Sequence, residues 1–77
     1  MKARVYVTLK KGVLDPQGKA VLSALNSMDF NEVKDVRIGK FIELTIDDGP
    51  QAEKRLRQMC ERLLANTVIE DFKVDTE

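Results

Sequence analysis

Side chains that commonly carry out chemistry are few in this sequence of 77 residues, which has no histidine and a single cysteine, Cys60. Histidine is the commonest general base and metal ligand, so its absence removes both roles. Cys60 falls on the apolar stripe of a predicted helix, whereas a nucleophilic thiol needs exposure and a nearby base or cation. We therefore interpret Cys60 as a small buried hydrophobic residue.

Two short charged clusters allow a functional or a structural interpretation. Asp47-Asp48 could bind Mg²⁺ together with a phosphate, but a helix-capping turn also explains it. Arg37-Ile38-Gly39-Lys40 places two cations beside a flexible backbone, which could hold a phosphate or an acidic partner loop. An ordinary charged hairpin is the alternative. We expect no catalytic residue, no cofactor-binding residue and no metal ligand on this chain.

Length and composition predict one small domain, spanning residues 1–77. Chains of this size bury only about 60% of the surface that they expose when unfolded. Small domains often gain stability from disulfides or metals, and neither is available here. Association with copies or with a partner protein is the remaining source of stability, so we expect the chain to associate.

The balance of charge and the distribution of apolar residues narrow the possible partners. The chain has 13 basic and 13 acidic residues, which argues against nucleic-acid binding driven by electrostatics. No apolar run approaches the length of a membrane span, and the first residues alternate without a signal-peptide core. One unpaired thiol suits a reducing cytoplasm, so we expect a cytoplasmic protein with no membrane contact.

Alternation of apolar and polar residues predicts four strands. The first covers residues 2–10, and the last covers residues 68–74 with Val68, Phe72 and Val74 on one face. Between them, residues 33–38 and 40–46 are predicted to form an antiparallel hairpin, since the glycine at Gly39-Lys40 would permit a tight turn.

Two helices are predicted between these strands. Asp15 is suited to cap the first and Pro16 to begin it, and apolar residues then recur at helical spacing as far as Met28. The second begins near Pro50 and ends at Asn66, a plausible left-handed C-cap. The order βαββαβ predicts an α+β, ferredoxin-like or split βαβ fold, with a four-stranded antiparallel sheet and both helices on one face.

The sheet face away from the helices is predicted to be the informative surface. It can be a solvated face, as antiparallel sheets tolerate, or a face for self-association or docking. We favour association because the domain is small. The residues predicted to lie on it are Arg4, Tyr6, Thr8, Arg37, Phe41, Glu43, Thr45, Ile69, Asp71 and Lys73.

Three segments in order also resemble the PurS family, the small subunits of phosphoribosylformylglycinamidine synthase. The resemblance spans essentially the whole chain. The family usually has proline where this chain has Thr67, which leaves that turn less rigid. The segments are Val5-Tyr6-Val7-Thr8-Leu9-Lys10-Lys11-Gly12-Val13-Leu14-Asp15-Pro16-Gln17-Gly18, Val36-Arg37-Ile38-Gly39-Lys40 with Ile42-Glu43-Leu44, and Met59 to Phe72.

The resemblance implies a non-catalytic subunit of an ATP-dependent ligase complex of purine biosynthesis. That complex converts formylglycinamide ribonucleotide, glutamine and ATP to formylglycinamidine ribonucleotide, glutamate, ADP and phosphate. A PurL-type synthase subunit would bind ATP and Mg²⁺, and a PurQ-type glutaminase subunit would release ammonia. The family member would be a homodimer or higher homo-oligomer that docks the two together, which supports ammonia transfer.

We expect five residues to dock partners, because they lie in these family-like segments and are expected to be exposed. They are Arg37, Gly39, Lys40, Asn66 and Thr67. The alternative is that Gly39 and Asn66 serve only backbone geometry. Two other functions stay open on the same fold. One is a free-standing regulatory domain that senses a small ligand, and the other is an acylphosphatase-like enzyme, although no phosphate-binding loop is visible.

Overall fold

The structure, a computed structural model, describes residues 1–77. It has an α+β fold in which two helices accompany a three-stranded antiparallel sheet. A π-helical turn continues the second helix. The elements are β1 (Lys2–Leu9), α1 (Pro16–Ser27), β2 (Gly39–Thr45), α2 (Ala52–Met59), the π-helix (Cys60–Leu64) and β3 (Glu70–Thr76). None of the helices combines the length and the apolar character needed to cross a bilayer.

The first strand forms the centre of the sheet, in the order β2-β1-β3. Val5 faces Ile42 on one side and Val74 on the other, and both pairings are antiparallel. Because successive side chains of a strand point to opposite faces, Ala3, Val5 and Val7 all lie in the core. The predicted alternation of the first strand is thereby confirmed.

The core lies between this sheet and the second helix. Leu56 and Cys60 are fully buried against β1, so the predicted core position of Cys60 is confirmed. Ala65 also belongs to the core, and half-buried apolar residues of β2 and β3 pack against this core. The π-helix keeps the chain on the sheet for another turn, and the Ala65 N–H donates to the Cys60 carbonyl at 2.9 Å.

The first helix contributes no residue to this core. The molecule measures 50 × 25 × 14 Å. Its Cα radius of gyration is 15.8 Å, whereas a compact chain of this length would have about 11.5 Å. The expectation that both helices cover one sheet face is therefore wrong for the single chain, in which only α2 and the π-helix do so.

The start of α1 forms as the sequence predicts. Pro16 occupies the first turn, and an Asp15 carboxylate oxygen accepts the Gly18 N–H at 2.9 Å. The other carboxylate oxygen accepts the Ile38 N–H at 3.0 Å. Asp15 therefore caps α1 and also ties it to the segment that leads into β2.

The predicted hairpin is wrong in the single chain. Residues 33–38 form no strand, and β2 pairs with β1 rather than with the residues before it. Gly39 is the first residue of β2 and not a turn, and it lies against the Val7 carbonyl oxygen, where a Cβ would clash. The glycine therefore permits close strand packing.

Smaller differences occur in the second half of the chain. The helix begins at Ala52, two residues after Pro50, and its N-cap is Gln51. The last strand begins at Glu70, so the predicted position of Val68 on its apolar face is wrong and Val68 is exposed. The Asn66 carbonyl accepts the N–H groups of Ile69 and Glu70, which holds Val68 in a turn outside the sheet.

Candidate partner-docking site

The five predicted docking residues come together at one end of the sheet. At that end β1 finishes, while β2 and β3 begin, and Leu9 pairs with Glu70. Two sequence segments almost 30 residues apart therefore supply one surface, which we call the docking end. It consists of Arg37, Gly39, Lys40, Asn66 and Thr67, all exposed.

Arg37 lies against the last residue of the central strand. Its guanidinium Nη2 donates to the Leu9 carbonyl, an acceptor at the end of the sheet. The remaining guanidinium donors can bind an acceptor from outside, because one guanidinium carries five N–H groups. Arg37 therefore caps the end of the central strand and has further N–H donors that this bond does not use.

A single carboxylate links the two segments of the docking end. One Glu70 oxygen lies 3.8 Å from the Lys40 ammonium, and the other accepts the Asn66 N–H at 2.7 Å. The side chain of Glu70 is only 13% exposed. Sequence reasoning missed Glu70, although an acidic residue four positions after a predicted turn residue could have indicated it.

The turn beyond the π-helix presents the rest of the surface. The Asn66 side-chain oxygen accepts the Val68 N–H at 3.2 Å, so Asn66 organises the turn through its own side chain. Thr67 lies at its tip, and Val68 and Leu63 beside it are more than 80% exposed. Apolar surface next to polar groups is typical of protein contact sites.

The structure shows the surroundings of the two groups considered for chemistry, Cys60 and Asp47-Asp48. Burial raises the pKa of the Cys60 thiol, which opposes formation of a reactive thiolate. Asp48 does not cap α2, so the capping interpretation of Asp47-Asp48 is wrong, and an Asp48 oxygen lies 3.1 Å from the Met1 ammonium. No group of three or more His, Cys, Asp or Glu side chains is arranged to hold a metal ion.

The predicted open sheet face carries an aromatic pair. Tyr6 and Phe41 lie opposite each other on β1 and β2, with ring centroids 5.2 Å apart. Around them lie ion pairs, among them Arg4 with Asp75 at 3.7 Å and Lys10 with Asp71 at 3.2 Å. Part of the charge on this face is therefore paired within the chain, whereas Arg37 and Ile69, which were predicted to lie on it, belong to no strand.

Comparison with known proteins shows the family of the chain. The family model PurS, described as Phosphoribosylformylglycinamidine (FGAM) synthase, matches residues 2–77. The chain belongs to the PurS family. The subunit PurS of this enzyme from Bacillus subtilis (strain 168) is 57% identical over 77 residues, which cover 99% of this chain and 92% of that one.

Solved PurS structures share the fold. The B. subtilis PurS structure has a TM-score of 0.91 at 57% identity and covers 99% of this chain and 96% of its own. Methanocaldococcus jannaschii PurS, one of the subunits of formylglycinamide ribonucleotide amidotransferase in the purine biosynthetic pathway, has a TM-score of 0.89 at 40% identity, covering 99% and 94%.

The fold also matches a chain in the structure of PurLQS from Thermotoga maritima. The TM-score is 0.78 at 26% identity, covering 96% of this chain and 93% of that one. As a PurS protein, the chain is a subunit of FGAM synthase, an enzyme of purine biosynthesis. The resemblance of the sequence to this family is thereby confirmed.

Proposed function

We propose that this PurS chain joins the synthase and glutaminase subunits of FGAM synthase and carries no catalytic group itself. The observation that carries the proposal is the docking end, where residues of two distant segments form one exposed, charged surface around Glu70. The T. maritima PurLQS structure supports an assembly of this kind. In this assembly the PurL-type subunit binds ATP and Mg²⁺, and the PurQ-type subunit releases ammonia.

The geometry suits a rigid spacer between two active sites. Gly39 and Lys40 of the docking end belong to β2, and the Glu70 carboxylate at the start of β3 holds the turn at Asn66, so a partner bound there has a fixed orientation. Fixed orientation lets ammonia pass from one site to the other without escaping to water. The free, buried thiol of Cys60 suits a reducing cytoplasm as the place of this complex.

The working form is a homodimer in this proposal, because α1 has an apolar stripe that its own chain does not cover. Val21, Leu25 and Met28 recur at helical spacing along one face. Val21 is 39% exposed and Met28 65%, and Phe30 beyond the helix is 47% exposed. A second copy that covers this stripe would supply the apolar burial that the small core lacks.

The segment before β2 has the sequence pattern of a strand but lacks a neighbouring strand in the single chain. Val36 and Ile38 alternate with charged residues as in a strand, yet residues 34–38 make no backbone–backbone hydrogen bond in the single chain. Unpaired strand edges are templates for pairing with another chain. We propose that this segment becomes the fourth strand only against a second copy.

Reversal of charge at the docking end tests the proposed function. The variant Arg37→Glu with Lys40→Glu is mixed with the two larger subunits, and glutamine-dependent and ammonia-dependent activities are measured. Lys54→Glu with Arg62→Glu is the matched control, since both residues are exposed, form no ion pair and lie on α2 and the π-helix. We expect glutamine-dependent activity to fall about tenfold or more, with ammonia-dependent activity nearly retained. Loss of neither activity would defeat the docking claim.

A further inference from the structure

A concave surface lies beside the docking end. Of the five predicted docking residues, only Arg37 lines it. It is an open cavity of about 420 Å³ between the turn after β1, the first turns of α1 and residues 35–37. Its apolar wall consists of Val13, Leu14, Leu22 and Val36. Leu14 is 69% exposed, which is unusual for a residue that faces a concave wall.

The charges around the cavity are predominantly positive, although the chain as a whole is neutral. Four cations line it, Lys10, Lys11, Lys19 and Arg37, together with two carboxylates, Asp15 and Asp35. Both carboxylates already accept backbone N–H groups at 2.9 to 3.0 Å. Both carboxylates in the lining are thus already hydrogen-bonded to backbone N–H groups of the chain.

Two of the four cations have no partner within the chain. Lys10 lies 3.2 Å from Asp71, and Arg37 donates to the Leu9 carbonyl. The side chains of Lys11 and Lys19 are exposed and form neither an ion pair nor a hydrogen bond. Leu14 belongs to the same wall, so an apolar side chain is combined with two unused ammonium groups.

This combination fits an acidic peptide segment better than a small phosphate. A phosphate is usually bound by rigid backbone donors or a planar guanidinium fork, whereas the two unpaired cations of this cavity are flexible lysines at an open mouth. A peptide with carboxylates on both sides of an apolar residue would pair with the lysines and cover Leu14 at once. Removal of apolar surface and charge pairing would then act together.

We propose that the cavity beside the docking end binds an acidic segment of a larger subunit, with Leu14 contacting an apolar residue of that segment and Lys11 and Lys19 pairing with its carboxylates. This inference rests on the proposed function and specifies the chemistry of one partner. It adds a contact separate from Lys40, Asn66 and Thr67, because none of these three residues lines the cavity.

Two variants test the proposal in the reconstituted complex. Lys11→Glu with Lys19→Glu reverses the unpaired charges, and Leu14→Ser removes the apolar contact at an exposed position that folding tolerates. Lys54→Glu with Arg62→Glu is again the control. Affinity for each larger subunit is measured by fluorescence anisotropy from low to high salt, and circular dichroism and the mass in solution are recorded for each variant.

We expect the double reversal to weaken binding to one larger subunit at least about tenfold at physiological salt and to flatten its salt dependence. Leu14→Ser should weaken the same binding by a smaller factor at all salt concentrations, and the control should bind like the natural chain. If the natural chain binds a larger subunit and both variants bind it with the same affinity, this inference is overturned while the proposed function stands. Failure of the natural chain to bind either subunit would instead overturn the proposed function.

Two further results would also contradict the proposal. Dissociation of the homodimer by the double reversal, without a change in subunit affinity, would show that a second copy occupies the cavity. The isolated chain is also titrated with inorganic phosphate and followed by amide NMR. Saturable submillimolar shifts at Lys11, Gly12 and Lys19 would show a small-anion site in place of a peptide site.

Discussion

The two helices of this PurS protein differ in what they contact, although both begin after a strand and carry an apolar stripe. The stripe of α2 lies on the sheet, and Leu56 with Cys60 is completely buried there. The stripe of α1 lies outside the core, with Val21 and Met28 exposed. One helix therefore completes the fold of the single chain, and the other has an apolar stripe that its own chain leaves exposed.

The comparison teaches that hydrophobic periodicity predicts a face but does not identify what covers it. Both stripes have the 3.6-residue period of an amphipathic helix. The position of α1 instead depends on Asp15, which holds the helix start to Ile38 at the docking end. In this account, α2 provides stability and α1 provides assembly.

The largest expected effect is on the side of α2. Leu56→Ala should reduce the free energy of unfolding by about 2–5 kcal/mol, because it leaves a cavity at a fully buried position. Domains of this size often have only about 3–5 kcal/mol in total, so the variant should be largely unfolded. The measurement is urea unfolding of dilute protein.

Met28→Ala is the matched control on α1. Since Met28 is exposed in the single chain, truncation should change the unfolding free energy of the monomer by no more than about 0.5 kcal/mol. Equal destabilisation by the two variants would abolish the distinction between the helices.

The next effect separates assembly from folding. Val21→Asp with Met28→Asp places two carboxylates on the uncovered stripe, where an apolar dimer contact would have to desolvate them. We expect the dimer dissociation constant to rise at least about 100-fold, with helix content nearly unchanged. Sedimentation equilibrium and circular dichroism measure the two quantities.

Ser23→Asp with Ser27→Asp is the control for this pair. It adds the same two carboxylates to α1, but on the other side of the helix. It should leave the dimer intact. A natural chain that is monomeric at every concentration, or a control that dissociates as readily as the stripe variant, would contradict the proposed role of α1.

An effect of similar size concerns the reactivity of thiols in the two helical regions. Burial raises the pKa of Cys60, so its thiol should react with a disulfide reagent only after the core opens. Cysteine introduced on α1 as Ser23→Cys, with Cys60→Ser, should react at least about 100-fold faster at neutral pH. Comparable rates in the native proteins would mean that the α2 core opens freely.

The smallest effect is the pH dependence contributed by Asp15. Hydrogen bonds from the Gly18 and Ile38 N–H groups lower the pKa of Asp15 below its ordinary value. The folded pKa is the lower one, so the stabilisation is present above the unfolded pKa of about 3.9 and is lost as pH falls through the folded value.

Asp15→Asn should therefore remove part of the acid sensitivity of the natural chain. Thermal unfolding is compared between about pH 2 and pH 6, where the difference between the two proteins should shrink as the pH falls. A difference that stays constant over this range would show that the charge of Asp15 contributes nothing to the attachment of α1.

The parts of the fold that depend on local sequence were predictable. Alternation located β1, and the Asp15-Pro16 pair located the start of α1. The burial of Cys60 followed from its place on a helical stripe. Each of these features depends on neighbouring residues and on a core within the chain.

The sequence predictions were wrong or incomplete where a segment's structure depends on contacts that are distant in the sequence or absent from the single chain. The alternation at Val36 and Ile38 suggested a strand, but no other strand of the chain pairs with it. Gly39 was interpreted as a turn because close packing against the Val7 carbonyl cannot be seen in the sequence. The linkage of Lys40 to Asn66 through Glu70 is likewise tertiary, so the docking residues were predicted singly and without this connection.

The most direct test of the division between the helices is amide hydrogen exchange of the isolated chain at several protein concentrations. The account predicts that the protection of α1 and residues 34–38 falls as the protein is diluted, while the protection of β1 and α2 falls much less. Protection of α1 that equals that of α2 and does not change with concentration would contradict the account, because α1 would then be stabilised by its own chain.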